Sequence, residues 1–213
     1  MGSYTAGTLP SGQLHKQNLR AVAAYAELQI PMREGFYSTD LAAIRYVDLT
    51  KGPGEQINTD DFQGRIQFGN GILSTGQSPF HADRTRLTLV KWGPEPQQCG
   101  RIIFDESVVM SECSIISYRE VRVAPRVMFG PSAVVMDCDG SPVDPCSPPT
   151  PDNLFMAPVL FEEMCWIGTN VTVMPGVTIG AYATVSANAV VFESVPPHSL
   201  VVGNPARVAT VFS

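Results

Sequence analysis

The side chains with the clearest chemical capacity gather in one short stretch, Asp137-Cys138-Asp139-Gly140-Ser141-Pro142-Val143-Asp144. Asp137 and Asp139 could move protons, or could simply form a turn, since Asp-Gly is a common turn pair. The stretch opens an interval, residues 137–160, that carries six prolines. A loop of that length in a compact chain is usually functional or disordered, and proline narrows its conformations. Imidazole, the base poised nearest neutral pH, is scarce. His15, His81 and His198 stand far apart in the sequence. A catalytic zinc needs three such rings around one ion, so no metal is expected. The cysteines are Cys99, Cys113, Cys138, Cys146 and Cys165, an odd number without a CxxC pair. They predict free thiols in a reducing cytoplasm.

A six-residue repeat must position this loop. From Phe161 to Pro196 the chain reads FEEMCW, IGTNVT, VMPGVT, IGAYAT, VSANAV, VFESVP. The first places are aliphatic or aromatic, the fifth are small or β-branched, and Gly, Asn, Thr and Pro lie between. A helix repeats near 3.6 residues and a half-buried strand at 2, so six is the period of a β-helix, one short strand and one corner per hexad. Upstream the first places are read at Ile103, Val109 and Ile115, then, after an eight-residue step, at Val123, Phe129 and Val135. First and fifth places should fill the interior. Three hexads per coil give roughly five coils over residues 64–196, a prism ~24 Å tall at ~4.8 Å per strand.

Before the repeat, Asn18 is read as the cap of a helix with Leu19, Val22, Ala23, Ala26 and Leu28 as apolar positions, ending before Pro31. It should cover one end of the prism, with Pro205 to Ser213 covering the other. The division is 1–56, helical and irregular, then 57–213, the β-helix with its loop at 137–160. Strand-like pieces lie at Arg65 to Phe68, Ile72-Leu73 and Leu87 to Trp92, with an excursion at 76–86. Charged residues make up 16%, Gly and Pro number 18 each, and the formal charge is −6. That composition suits a turn-dense all-β chain, argues against a helical bundle, and offers no basic patch for nucleic acid. Met1 to Lys16 has no apolar run, so neither a signal peptide nor a membrane anchor is expected.

The hexads, with Trp166-Ile167-Gly168, Pro175 to Gly180 and the ending Gly203-Asn204-Pro205-Ala206-Arg207, resemble the hexapeptide-repeat acyltransferases, most closely the maltose-, galactoside- and capsule-type O-acetyltransferases. The resemblance implies a left-handed parallel β-helix, a homotrimer with sites between neighbouring prisms, and acetyl-CoA as donor to a hydroxyl or amine of a small carbohydrate acceptor. It implies that Ala187 and Asn188 lie along the pantetheine arm, Arg207 near the adenosine phosphates and Trp166 near the thioester. Where the family has a catalytic His in an Asp-x-Asp-x-His-Pro loop, this chain has Ser141. A serine hydroxyl cannot replace an imidazole base. Either Asp139, or His81 from a neighbouring chain, serves as base; or the acceptor is an amine that needs little help; or the chain is a silent relative with a binding or assembly role.

Overall fold

The computed structural model describes residues 11–33, 36–38, 41–52, 54–73, 85–144, 146–147 and 150–212. From Phe161 to Pro196 the residues at the first and fifth places of each hexad point inward while the corner turns, and the short strands stack coil on coil into three long sheets, beside a two-stranded parallel pairing of Phe36–Ser38 with Gly71–Leu73. The first face contains Val109–Met110, Met128–Phe129, Trp166–Ile167, Thr184–Val185 and Ser199–Val202, closed by the antiparallel Arg207–Val211. The second contains Ala43–Asp48, Arg86–Lys91, Ser114–Ser117, Val134–Met136, Thr172–Val173 and Val190–Val191. The third contains Ile66–Phe68, Ile102–Phe104, Val121–Val123, Val159–Phe161 and Thr178–Ile179. The chain visits the faces in that order, and the architecture is the expected left-handed parallel β-helix.

Corners are turned by single residues in the left-handed region, where a side chain is costly. Arg126, Met164, Tyr182 and His198 hold this position between the third and first faces. Glu112, Ser132, Asn170 and Asn188 hold it between the first and second. Asn tolerates this conformation best among non-glycine residues, and Asn170 Nδ2 donates to Asn188 Oδ1 at 2.9 Å, one coil above.

The interior is a continuous apolar column that includes Val123, Phe129, Val135, Val173, Ile179 and Val185 as read from the sequence. Ile103 and Val109 are corrections. Both are only half-buried, and the inward residues are Ile102, Phe104, Val108 and Met110. Ile103 stands in the outward column of Gln67 and Arg122. The inward first places therefore run Phe104, Met110, Ile115, with a five-residue step around the corner at Glu112. The runs Ile102-Ile103-Phe104 and Val108-Val109-Met110 are apolar on both parities, so alternation could not choose between them.

The helix α1 (Ser11–Glu27) begins before Asn18, which lies within it. It covers the first coil as expected, but through Ala21 and Tyr25, not through Leu19 and Ala26, which are exposed. Tyr25 is fully buried, its ring edge-on to Phe68 at 4.9 Å, and its hydroxyl accepts from Ala42 N at 2.9 Å. An Ala-rich helix is apolar on more than one side, and the aromatic Tyr25 carried the larger area to bury. The strand Ala43–Asp48 already belongs to the second face, ahead of residue 57. Most of the excursion at 76–86, including His81, lies outside the described residues.

Candidate active site

On the first face, where it meets the second, a groove of about 320 Å³ runs along two stacked coils. Its lining includes Trp166, Gly168 and Thr169 on one coil and Thr184, Ser186 and Ala187 on the next, with Leu200 above. The coils are in register, Trp166 pairing with Thr184. Gly168 has no side chain to fill the groove, and Ala187 has only a methyl. The backbone N–H groups of Thr169 and Ala187, two residues of this lining, donate to no other described residue. Trp166 is 53% exposed, an indole left uncovered beside an apolar wall. Small corners, bare amides and one aromatic face suit an extended, partly polar arm.

Of the residues expected at a cofactor, the structure brings Trp166 and Ala187 together in this groove. Asn188 follows directly, its side chain held by Asn170. Arg207 does not line the groove. It lies on the closing strand opposite Val202, exposed, 3.9 Å from Glu193. An exposed pair of that kind contributes little, and the same Nη1 donates to Ala206 O at 2.8 Å. Gly168, Thr169, Thr184 and Leu200 line it as well and were missed. The signal was available, since Gly168 and Thr169 stand one coil below Ser186 and Ala187.

The loop leaves the corner between the second and third faces, between Met136 and Val159. Its carboxylates have separate fates. Asp137 is fully buried and accepts from Ser117 Oγ at 2.8 Å, Tyr118 N at 2.6 Å and Arg119 N at 2.8 Å. Burial pushes its carboxyl above the ordinary value, and these hydrogen bonds pull the other way. Asp144 accepts from Cys146 N and Ser147 Oγ, both at 3.0 Å, which holds its carboxyl low. Asp139 is half-buried, and its carboxylate makes no hydrogen bond or ion pair with another described residue. Ser141 is exposed. Neither Asp139 nor Ser141 touches the groove, which opens at a different corner of the prism.

Loop and groove nevertheless share a height. The backbone N–H of Gly176 donates to Ala157 O at 3.1 Å, so the returning limb of the loop rests on the coil that begins at Phe161 and contains Trp166 and Thr169. Within one chain they point apart.

Residues 159–193 match the family model described as bacterial transferase hexapeptide (six repeats). A Schizosaccharomyces pombe protein provisionally named an acetyltransferase is 34% identical over 96 residues, 45% of each chain. One from Mycobacterium tuberculosis is 29% identical over 110 residues, 51% of this chain and 37% of the other. The chain thus spans about half the length of these curated relatives, or less. Among solved structures, the N-acyltransferase AntD from Bacillus cereus, in complex with dTDP-4-amino-4,6-dideoxyglucose and coenzyme A, aligns with a TM-score of 0.62 at 16% identity, over 90% of this chain and 89% of that one. A maltose O-acetyltransferase from Clostridium difficile aligns at 0.50 with 17% identity, over 94% and 88%. At these identities the alignments speak for the fold.

Proposed function

From the premise that the chain is a hexapeptide-repeat, left-handed β-helix protein, we propose that it is an acyl-CoA-dependent acyltransferase, with acetyl-CoA as donor and a hydroxyl or amine of a sugar-like molecule as acceptor. The observation that carries this reading is the groove, where Trp166 and Gly168 give an exposed aromatic face beside an open corner, and where the amides of Thr169 and Ala187 donate to no other described residue. An acyl-CoA would supply a thioester carbonyl open to attack. Trp166 would flank it, the N–H groups of Thr169 and Ala187 would hold the arm or the developing oxyanion, and Asn188 would fix the corner. Arg207, released from Glu193, would meet the phosphates.

The acceptor side is the loop of a neighbouring copy. A three-fold axis parallel to the prism keeps every copy at one height, so a neighbour's loop meets Trp166 at its own level, as a homotrimer requires. The first face also supports assembly, since Met128, Met164, Trp166 and Tyr182 are exposed there. In that site the carboxylate of Asp139, which makes no hydrogen bond or ion pair with another described residue, takes the acceptor's proton as the acceptor's oxygen or nitrogen attacks. The C–S bond breaks and the proton leaves with the thiol. Ser141 shapes the site. His81 of a neighbour is the other base, and an amine that binds partly neutral needs less help from either.

Five free thiols support a cytoplasmic setting, and no described helix is long and apolar enough to cross a membrane. A second reading, a silent relative that binds or assembles, is favoured by Ser141 in the place of an imidazole. A crystal soaked with acetyl-CoA tests the proposal. Density along Trp166 and Ala187 with the thioester facing a neighbour's Asp139 supports it, and a thioester that meets no titratable side chain supports the silent relative.

A further inference from the structure

Asp137 has no route to a substrate, yet it holds the most heavily bonded carboxylate in the loop. We propose that Asp137 is a positioning residue, whose buried carboxylate fixes the root of the loop and through it the place of Asp139. This rests on the reading of the loop as the acceptor side of an acyltransferase.

The geometry is a clamp on two coils. Below, three donors converge on Asp137 from the corner Ser117-Tyr118-Arg119. Ser117 Oγ also accepts from Arg101 N at 3.1 Å, which ties the corner to the preceding coil. The main chain of Asp137 then starts a paired stem. Ala157 N donates to Asp137 O at 3.0 Å, Asp139 N donates to Phe155 O at 3.2 Å, and Cys138 faces Met156 across an antiparallel bridge. Above, Gly176 has φ of +80°, and a side-chain carbon there would stand 3.2 Å from Ala157 Cβ. Glycine meets both the dihedral and the tight approach without strain. Asp139 is the second residue along this stem, so its direction follows from that of Asp137.

A carboxylate is required because two oxygens must accept from three donors. The amide of Asn has one accepting oxygen, and its NH2 would face a backbone N–H that cannot turn away. Removing one acceptor from a buried set leaves a donor unpaired, which is costly. A displacement of about 1 Å at a reacting group can cost roughly 10²-fold in rate.

The test is Asp137→Asn in the full chain, by hydrogen exchange and steady-state kinetics at a temperature where the variant is folded. Exchange at the amides of Asp139 and Ala157 should rise at least about 10-fold, while Trp166, Gly168 and Ser186 keep wild-type protection. kcat should fall by about 10- to 100-fold with KM for acetyl-CoA within about two-fold, because the groove lies at another corner. Unchanged loop exchange, or kcat and KM for acetyl-CoA worsening together with a general loss of protection, would overturn the proposal. If Asp137→Asn does not fold, Ser117→Ala keeps the carboxylate and removes one donor, and the same selective pattern should appear at smaller amplitude; its absence overturns the proposal too. A wild-type chain that acylates nothing defeats the acyltransferase reading, and the exchange result still decides whether Asp137 holds the loop.

Discussion

A side-chain carbon at Gly168 would stand 2.7 Å from the backbone nitrogen of Ala187, one coil above it. The same carbon would be 2.8 Å from Val185 O. These are backbone atoms of a packed coil, so they cannot move aside as a flexible side chain would. Gly168→Ala should therefore destabilise the protein by about 1–3 kcal/mol, the usual cost of overpacking. It should also weaken acetyl-CoA binding by forcing the two coils of the groove apart. Urea denaturation with titration calorimetry measures both, and a variant as stable as wild type would show that the coils are looser than drawn.

Trp166 is exposed and outside the core, so its removal separates binding from folding. Trp166→Ala should leave the unfolding free energy within about 0.5 kcal/mol of wild type, as surface changes generally do. It should raise the dissociation constant for acetyl-CoA at least about 10-fold, the loss of one well-placed aromatic contact. Equal affinity in the two proteins would remove Trp166 from the donor site.

Four cysteines are buried and Cys146 is exposed. A thiol reagent should modify one cysteine per native chain and five after unfolding. Burial pushes Cys99 up to about 11 and Cys113 and Cys165 up to about 12, from an ordinary value of 9.0. A thiol raised in the folded state favours folding fully below its unfolded value, and that stability is lost as pH rises through the folded value. The urea midpoint should thus start to fall from about pH 9 upward, and Cys165→Ala should flatten the fall. A midpoint that stays level to about pH 11 would contradict the burial of these thiols.

The repeat from Phe161 onward was legible because its inward places are Val, Ile and Ala and its corners are Gly, Asn and Pro, so local and tertiary preferences agree. The coil at 102–110 was not, because both parities are apolar there and a five-residue corner hides the shift. The helix was legible as a cap, but not the face it buries, since the partners that select Tyr25, among them Phe68, Phe36 and Ala42, lie across the fold. At the site, Trp166 and Ala187 were legible through a motif. For Asp137 the sequence leaves proton transfer and turn chemistry both open, because the donors that define it come from Ser117, Tyr118 and Arg119, one coil away and invisible to local spacing.

Ser141 divides the possible chemistries. If hydroxyl transfer lacks only an imidazole, Ser141→His should raise turnover on sugar hydroxyls by about 10²–10⁴, the range of general-base catalysis. If Asp139 serves, or the acceptor is an amine, the change should leave turnover level or lower it. The second outcome is expected, since the Asp139 carboxylate in the same loop makes no hydrogen bond or ion pair with another described residue. A pH-rate profile of the variant beside wild type distinguishes the two.

The most direct test of acyl transfer is release of free CoA from acetyl-CoA over a panel of sugar hydroxyl and aminosugar acceptors, with wild type, Trp166→Ala and Asp139→Asn side by side. Release should depend on the acceptor. Both variants should lose at least about 10-fold, through KM for acetyl-CoA at Trp166 and through kcat at Asp139. Bound acetyl-CoA with no acceptor-dependent release in wild type would contradict acyl transfer, and would leave the chain as a binding protein on a transferase scaffold.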